Sequence, residues 1–218
     1  SKLAFIFPGQ GAQKAGMGKD FYENSEAARS FFDNAQEILD FDLKEMCFGE
    51  HEELNLTEYT QPCMVSVCLA IVQELKKRGI NPDITAGLSL GEYAAVAAAG
   101  GMNELDAIKL VRRRGILMQN TVPTGEGAMA AVLGLDAKKI EEILESFENV
   151  WIANYNCPGQ IVITGLTNEV QQESLALKEA GAKRVVELKV SGPFHSLLLK
   201  PAGEALLKEM ESMSFSPL

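Results

Sequence analysis

The sequence predicts an α/β fold in two parts: a parallel-sheet large domain and a smaller βαββαβ unit inserted into it. Three observations predict it. Strand-like and helix-like segments alternate through the first half, the pattern of a parallel sheet with helical crossovers. After Gly125-Glu-Gly127 the order changes to βαββαβ, which marks a ferredoxin-like unit. The length, 218 residues with 46% hydrophobic and 23% charged, is enough to bury about 70% of the unfolded surface without disulfides or metals. That composition excludes a disordered tail, a collagen-like repeat and a disulfide scaffold. The expected large domain is 1–126 with 191–218, and the small domain is 127–190.

The apolar run 3–7 reads as a buried strand and ends in the loop Pro8-Gly-Gln-Gly-Ala12. Helical spacing of Phe21, Phe31, Phe32, Ile38 and Leu39 predicts helix within 20–40. A second helix spans 60–79, with Val65, Leu69, Val72 and Leu75 on one face and Gly79 as its stop. A short strand, 84–87, follows Pro82, then an alanine-rich helix to Gly100 and another from Asn103 to before Pro123. In the second part, strands are expected at 128–135, 150–154, 160–165 and 183–190, with helices at 136–147 and 167–180. A last helix is expected at 196–212, after Ser191-Gly-Pro193.

A formal net charge of −10 disfavours nucleic acid and anionic membranes as partners. No stretch approaches the roughly 18 apolar residues of a membrane span, and residues 3–7 are too short for a signal peptide. A cytoplasmic protein is expected. Cys47, Cys63, Cys68 and Cys157 have neither C-x-x-C nor zinc spacing, so they are expected to be small buried hydrophobes and no metal site is expected.

Gly87-Leu88-Ser89-Leu90-Gly91 fits G-x-S-x-G between a strand and a helix, the context of the nucleophile elbow of α/β-hydrolase-like sheets. A sharp turn there needs glycine on both sides, and the small residues Ala94, Ala95, Ala97, Ala98 and Ala99 let the helix lie close to the sheet. Ser89-x-x-Glu92 also reads as a plain capping box. A nucleophilic serine needs a base. His51, in an acidic stretch, reads as a solvated surface residue; His195, after Ser191-Gly-Pro-Phe194, is a base or a structural histidine. Arg114 shares a helix face with Ala107, Val111 and Met118, so it needs an anion or buried carbonyls, met by a structural ion pair or by a substrate carboxylate. The loop at Gln10 is a turn or a source of backbone N–H groups for an oxyanion.

Phe7-Pro-Gly-Gln-Gly-Ala-Gln13, Thr60-Gln-Pro62, Gly87-Leu-Ser-Leu-Gly-Glu92, Arg114-Gly115, Asn154-Tyr-Asn-Cys-Pro-Gly-Gln-Ile-Val-Ile163 and Gly192-Pro-Phe-His-Ser196 occur in this order. Together they resemble the malonyl-CoA:acyl carrier protein transacylases, acyltransferases of fatty acid and polyketide synthesis. The resemblance implies Ser89 as nucleophile, His195 as general base, the N–H groups of Gln10 and Leu90 as oxyanion hole, and Arg114 on the malonyl carboxylate. It implies a substrate pocket with Gln61, Asn156 and Phe194, and ping-pong transfer from malonyl-CoA to the phosphopantetheine thiol of acyl carrier protein. Each step exchanges thioester and ester, so no metal or other cofactor is implied beyond the substrates. Lys183 and Arg184 are the candidate docking patch for an acidic carrier protein. Two departures stand out. Leu88 replaces a histidine that many members carry before the nucleophile. Members also continue past the equivalent of Leu218, so a C-terminal portion, with the carbonyl that orients the imidazole, is expected to be lacking. The alternatives are a serine hydrolase or thioesterase on the same elbow, which would not need Arg114, and a catalytically incomplete carrier-binding module.

Overall fold

The computed structural model describes residues 2–190 and 192–218; Ser1, and Ser191, where the sequence is expected to leave the small domain, lie outside the described residues. The fold is mixed α/β, with one parallel and one antiparallel sheet. It divides into two units, Ser1–Ile116 with Leu206–Leu218, and Leu117–Ala205.

In the first unit the N-terminal apolar run forms β1 (Ala4–Phe7). The expected helix within 20–40 is two, α1 (Lys19–Asn24) and α2 (Glu26–Glu37), because Ser25 is extended and its Oγ accepts the Ala28 N–H at 3.1 Å. α3 (Leu43–Phe48) escaped the periodicity reading because six residues show too few turns. Its signal is Asp42-x-x-Glu45, and Asp42 does accept the Glu45 N–H at 2.9 Å. α4 (Thr57–Lys77) is buried along most of its length and carries Pro62 inside it. Proline has no N–H for the carbonyl four residues back, that of Glu58. Arg112 Nη1 donates to that carbonyl instead, at 2.8 Å.

β2 (Ile84–Gly87) pairs in parallel with β1, Phe7 opposite Gly87. α5 (Gly91–Ala98) and α6 (Glu104–Thr121) follow. Phe32, Leu43, Leu69, Leu90, Ile108 and Leu110 are fully buried in this unit's core. The expectation that 3–7 is a buried strand does not hold: Phe7 is buried, but Ile6 is 79% and Ile84 54% exposed. Among the described residues the parallel sheet has two strands, and Ala4, Ile6, Ile84 and Ala86 on them are exposed.

The second unit contains β3 (Gly127–Leu133), α7 (Ala137–Leu144), β4 (Val150–Cys157), β5 (Gln160–Leu166), α8 (Thr167–Glu179) and β6 (Arg184–Glu187). The strand order is β4-β5-β3-β6, with every neighbour antiparallel. β3 shows why the strand is central. Ala128, Ala130 and Val132 pack with Ile140 of α7 and Val170 and Leu177 of α8, while Met129 packs on the opposite face with Phe194, Leu199 and Ala202. That is period-2 alternation with both faces covered. The expected helix 196–212 begins later, at α9 (Lys200–Glu211), after a 3-10 turn over Leu197–Leu199. Cys47 and Cys63 are buried and Cys68 partly so, but Cys157 is exposed at the end of the edge strand β4, against expectation.

Candidate active site

β2 ends at Gly87, and the chain reverses into α5 within three residues. A Cβ on Gly87 would stand 2.0 Å from the Gly91 carbonyl carbon, and one on Gly91 2.3 Å from the Phe7 oxygen. Only glycine fits at either place. Between them Ser89 takes φ 50°. A non-glycine residue held in the left-handed region stores backbone strain, which native structures concentrate at functional sites. Among the described residues two non-glycines do this: Ser89 and His195, the latter at φ 60°. The capping-box reading does not describe the elbow: Leu90 holds the cap position of α5, and the Glu92 N–H bonds to the Ser89 backbone oxygen at 3.1 Å.

The Ser89 side chain faces α6. Arg114 Nη2 donates to Ser89 Oγ at 3.2 Å, and Arg114 Nη1 donates to Gln61 Oε1 at 2.9 Å. Gln61, on α4, is completely buried. Arg114 comes this close because Gly115 follows it: a Cβ there would stand 2.7 Å from the Thr57 carbonyl oxygen. The three consecutive arginines separate cleanly. Arg112 pairs with Asp40 and Glu58 and lies against the rings of both Phe41 and Tyr59. Arg113 pairs with Glu209. Arg114 has no carboxylate within ion-pair distance among the described residues, so the structural ion-pair reading fails. Burial lowers its pKa, opposed by Tyr93 and Glu92. A guanidinium in this position still carries its charge, and the arrangement can receive an anion from outside.

The Gln10 loop reaches the same place. A Cβ on Gly9 would stand 2.8 Å from the Leu88 oxygen, and the Gln10 side chain is anchored by Nε2 donating to Thr57 Oγ1 at 3.0 Å. No hydrogen bond from the N–H of Gln10 or of Leu90 occurs among the described residues. Two backbone donors beside a serine at a helix start can stabilise an oxyanion.

The other expected residues lie in the second unit. Phe194 is 5% exposed, anchored in the cluster with Met129 and Leu199, while His195 is exposed. Pro193 packs so closely that a Cβ on Gly127 would stand 2.2 Å from its Cδ. Ser196 Oγ donates to the Pro193 oxygen at 2.6 Å, closing the turn that presents the imidazole. Asn156 is exposed on β4. The Lys183 N–H bonds the Leu133 oxygen at 2.9 Å, and Arg184 opens β6 with its side chain exposed. The structure thus joins Ser89, Arg114 and Gln61 by direct bonds within one unit, with Gln10 and Leu90 beside them. His195, Phe194, Asn156, Lys183 and Arg184 are placed within the other. His51 is not simply solvated: its Nε2 is 2.9 Å from Glu45 Oε1. Two residues escaped the sequence reading, Thr57 and Tyr93. The signal for Tyr93 is its place one turn after Ser89 on α5. An apolar cleft of about 420 Å³ along β1 and α4, lined by Phe5, Ile6, Met64 and Ile71, includes neither Ser89 nor Arg114.

Residues 4–217 match the model of the acyl transferase domain. The malonyl CoA-acyl carrier protein transacylase of Bacillus subtilis (strain 168) is 48% identical over 217 residues, 97% of this chain and 68% of that protein. Its counterpart in Staphylococcus aureus (strain N315) is 48% identical over 208 residues, covering 92% and 66%. The chain therefore spans about two thirds of the length of these relatives. The crystal structure of malonyl CoA-acyl carrier protein transacylase from Clostridium perfringens superposes with TM-score 0.95 at 43% identity, over 100% of this chain and 70% of that one. A malonyl-transacylase in complex with its type II PKS acyl-carrier protein gives TM-score 0.95 at 39% identity, over 99% and 72%.

Proposed function

The chain belongs to the acyl transferase domain family, and from that premise we propose that it moves a malonyl group from coenzyme A to the phosphopantetheine thiol of acyl carrier protein. The observation that carries the choice of substrate is Arg114. It is a partly buried guanidinium with no carboxylate partner among the described residues, bonded to the very oxygen that would attack. A charge partly withdrawn from water is costly to leave without a counter-charge, and a site that keeps one is suited to a counter-charge that arrives with the substrate. A hydrolase of neutral esters has no use for it.

In this reading the Ser89 oxygen attacks the thioester carbonyl and its proton passes to His195 as base. The N–H groups of Gln10 and Leu90 take the oxyanion, while Arg114, steadied by Gln61, holds the malonyl carboxylate. The carbon–sulfur bond then breaks, and the coenzyme A thiolate leaves with the proton from His195. The carrier-protein thiol returns by the same steps and releases Ser89, so the reading needs no cofactor beyond the substrates. Asn156 and Phe194 line the acyl pocket, and Lys183 with Arg184 receives the carrier protein.

The fold reading that goes with it is an α/β-hydrolase-like large domain, 1–126 with 191–218, and a ferredoxin-like small domain, 127–190, in a cytoplasmic protein. The β4-β5-β3-β6 order supports the second part, and the strand–Ser89–helix elbow supports the first. Incubation with malonyl-CoA followed by intact mass measurement tests the function. A malonyl adduct that disappears in Ser89→Ala is expected. No adduct on the parent chain would favour a catalytically incomplete carrier-binding module, and an adduct that water removes as fast as carrier protein does would favour a thioesterase.

A further inference from the structure

We propose that Tyr93 is the positioning residue that orients Arg114 for an acyl carboxylate, and so sets the selectivity for malonyl over uncharged acyl groups; this rests on the reading of Arg114 as the carboxylate clamp. Three facts support it. The Arg114 Cζ lies 5.2 Å from the centroid of the Tyr93 ring. Tyr93 sits one turn into α5, so the helix that presents Ser89 also presents this ring. The ring is not loose, because it packs against the apolar core of its unit.

The physics explains why an aromatic ring stands here and not an acid. A guanidinium has five N–H donors, all in its plane. An aspartate or glutamate would bind that edge and occupy the donors a substrate carboxylate needs. A ring attracts the cation through its face, by the quadrupole, and the attraction grows where water is excluded. Gln61 and Ser89 each use one edge donor. The face contact leaves the rest of the edge for the ligand. Tyr93 therefore stabilises the positive charge without competing for the site.

The test compares acylation of the full chain by malonyl-CoA and by acetyl-CoA, the uncharged probe. Tyr93→Leu is expected to lower the malonyl-to-acetyl ratio of kcat/KM by about tenfold, through a higher KM for malonyl-CoA. Tyr93→Phe, which keeps the ring face, is expected to stay within about twofold of the parent. A ratio unchanged in Tyr93→Leu overturns the proposal, and so does a Phe variant as damaged as the Leu variant, because then the hydroxyl and not the ring matters. If Tyr93→Leu loses both activities through misfolding, Tyr93→Trp decides: a ratio within twofold of the parent supports the platform, and a tenfold fall overturns it. Arg114→Ala is run alongside. If it leaves the ratio unchanged, the clamp reading itself fails; if it collapses the ratio and Tyr93→Leu does not, only the Tyr93 proposal fails.

Discussion

Arg114 Nη2 donates a hydrogen bond to Ser89 Oγ at 3.2 Å. The residue proposed to recognise the substrate thus holds a lone pair of the residue proposed to attack it. A carboxylate that draws Arg114 to itself frees that lone pair. In the proposed reading, recognition and activation are coupled through one guanidinium.

Replacing Arg114 with Ala removes the counter-charge for the malonyl carboxylate. Acylation by malonyl-CoA is expected to fall about 100-fold in kcat/KM, equivalent to about 3 kcal/mol. Acylation by acetyl-CoA is expected not to fall, since the donor on Ser89 Oγ is also gone. Single-turnover acylation with both donors checks this, and equal losses for the two would refute the coupling.

Gln61→Leu keeps the volume and removes the acceptor of Arg114 Nη1. The guanidinium loses an in-plane anchor in a buried site, worth about 1–2 kcal/mol. The expected outcome is a KM for malonyl-CoA raised about tenfold with little change in kcat. Steady-state kinetics over malonyl-CoA concentration separates the two parameters.

Gly87→Ala tests the elbow. The new Cβ would stand 2.0 Å from backbone of Gly91, which no rotamer can relieve. The expected cost is about 2–4 kcal/mol of stability, together with loss of the malonyl adduct as Ser89 is displaced. Urea unfolding and intact mass measure the two effects. A variant of parental stability would mean that the turn relaxes more freely than its packing indicates.

Glu173 on α8 tests the second unit independently. It is completely buried near Val170 and Leu177, neither carboxylate oxygen has a hydrogen-bond partner among the described residues, and burial pushes its pKa from 4.5 up to about 8. In the folded state it stays protonated where the unfolded chain has already released the proton. Stability is therefore expected to fall as pH rises from 4.5 to about 8, and to level off above that. Glu173→Gln removes this dependence. It is expected to be more stable than the parent by about 2–4 kcal/mol at pH 8 and about equal at pH 4. Parallel pH profiles for the two proteins would contradict the assignment.

Much of the molecule is legible in local sequence. The β2–Ser89–α5 elbow can be read because glycine at 87 and 91 and alanine after it are demanded by contacts a few residues apart. The order of elements in residues 127–187 can be read because alternation and helical spacing are local periodicities. The misses are of another kind. Ile6 belongs to an apolar run, yet its exposure depends on which elements cover the sheet. Helical spacing already sets Arg114 apart from Arg112 and Arg113, on the face of Ala107, Val111 and Met118, but it does not tell whether an acid meets it there. That was decided by partners 25 and 53 positions away, Ser89 and Gln61, and by the close approach of Gly115 to Thr57 that brings them together. The sequence by itself determined the local turns, the periodic elements and the residue types able to do the chemistry. Only the tertiary structure decided which arginine would be left without a carboxylate and which ring would face it, because burial and pairing belong to contacts between distant segments.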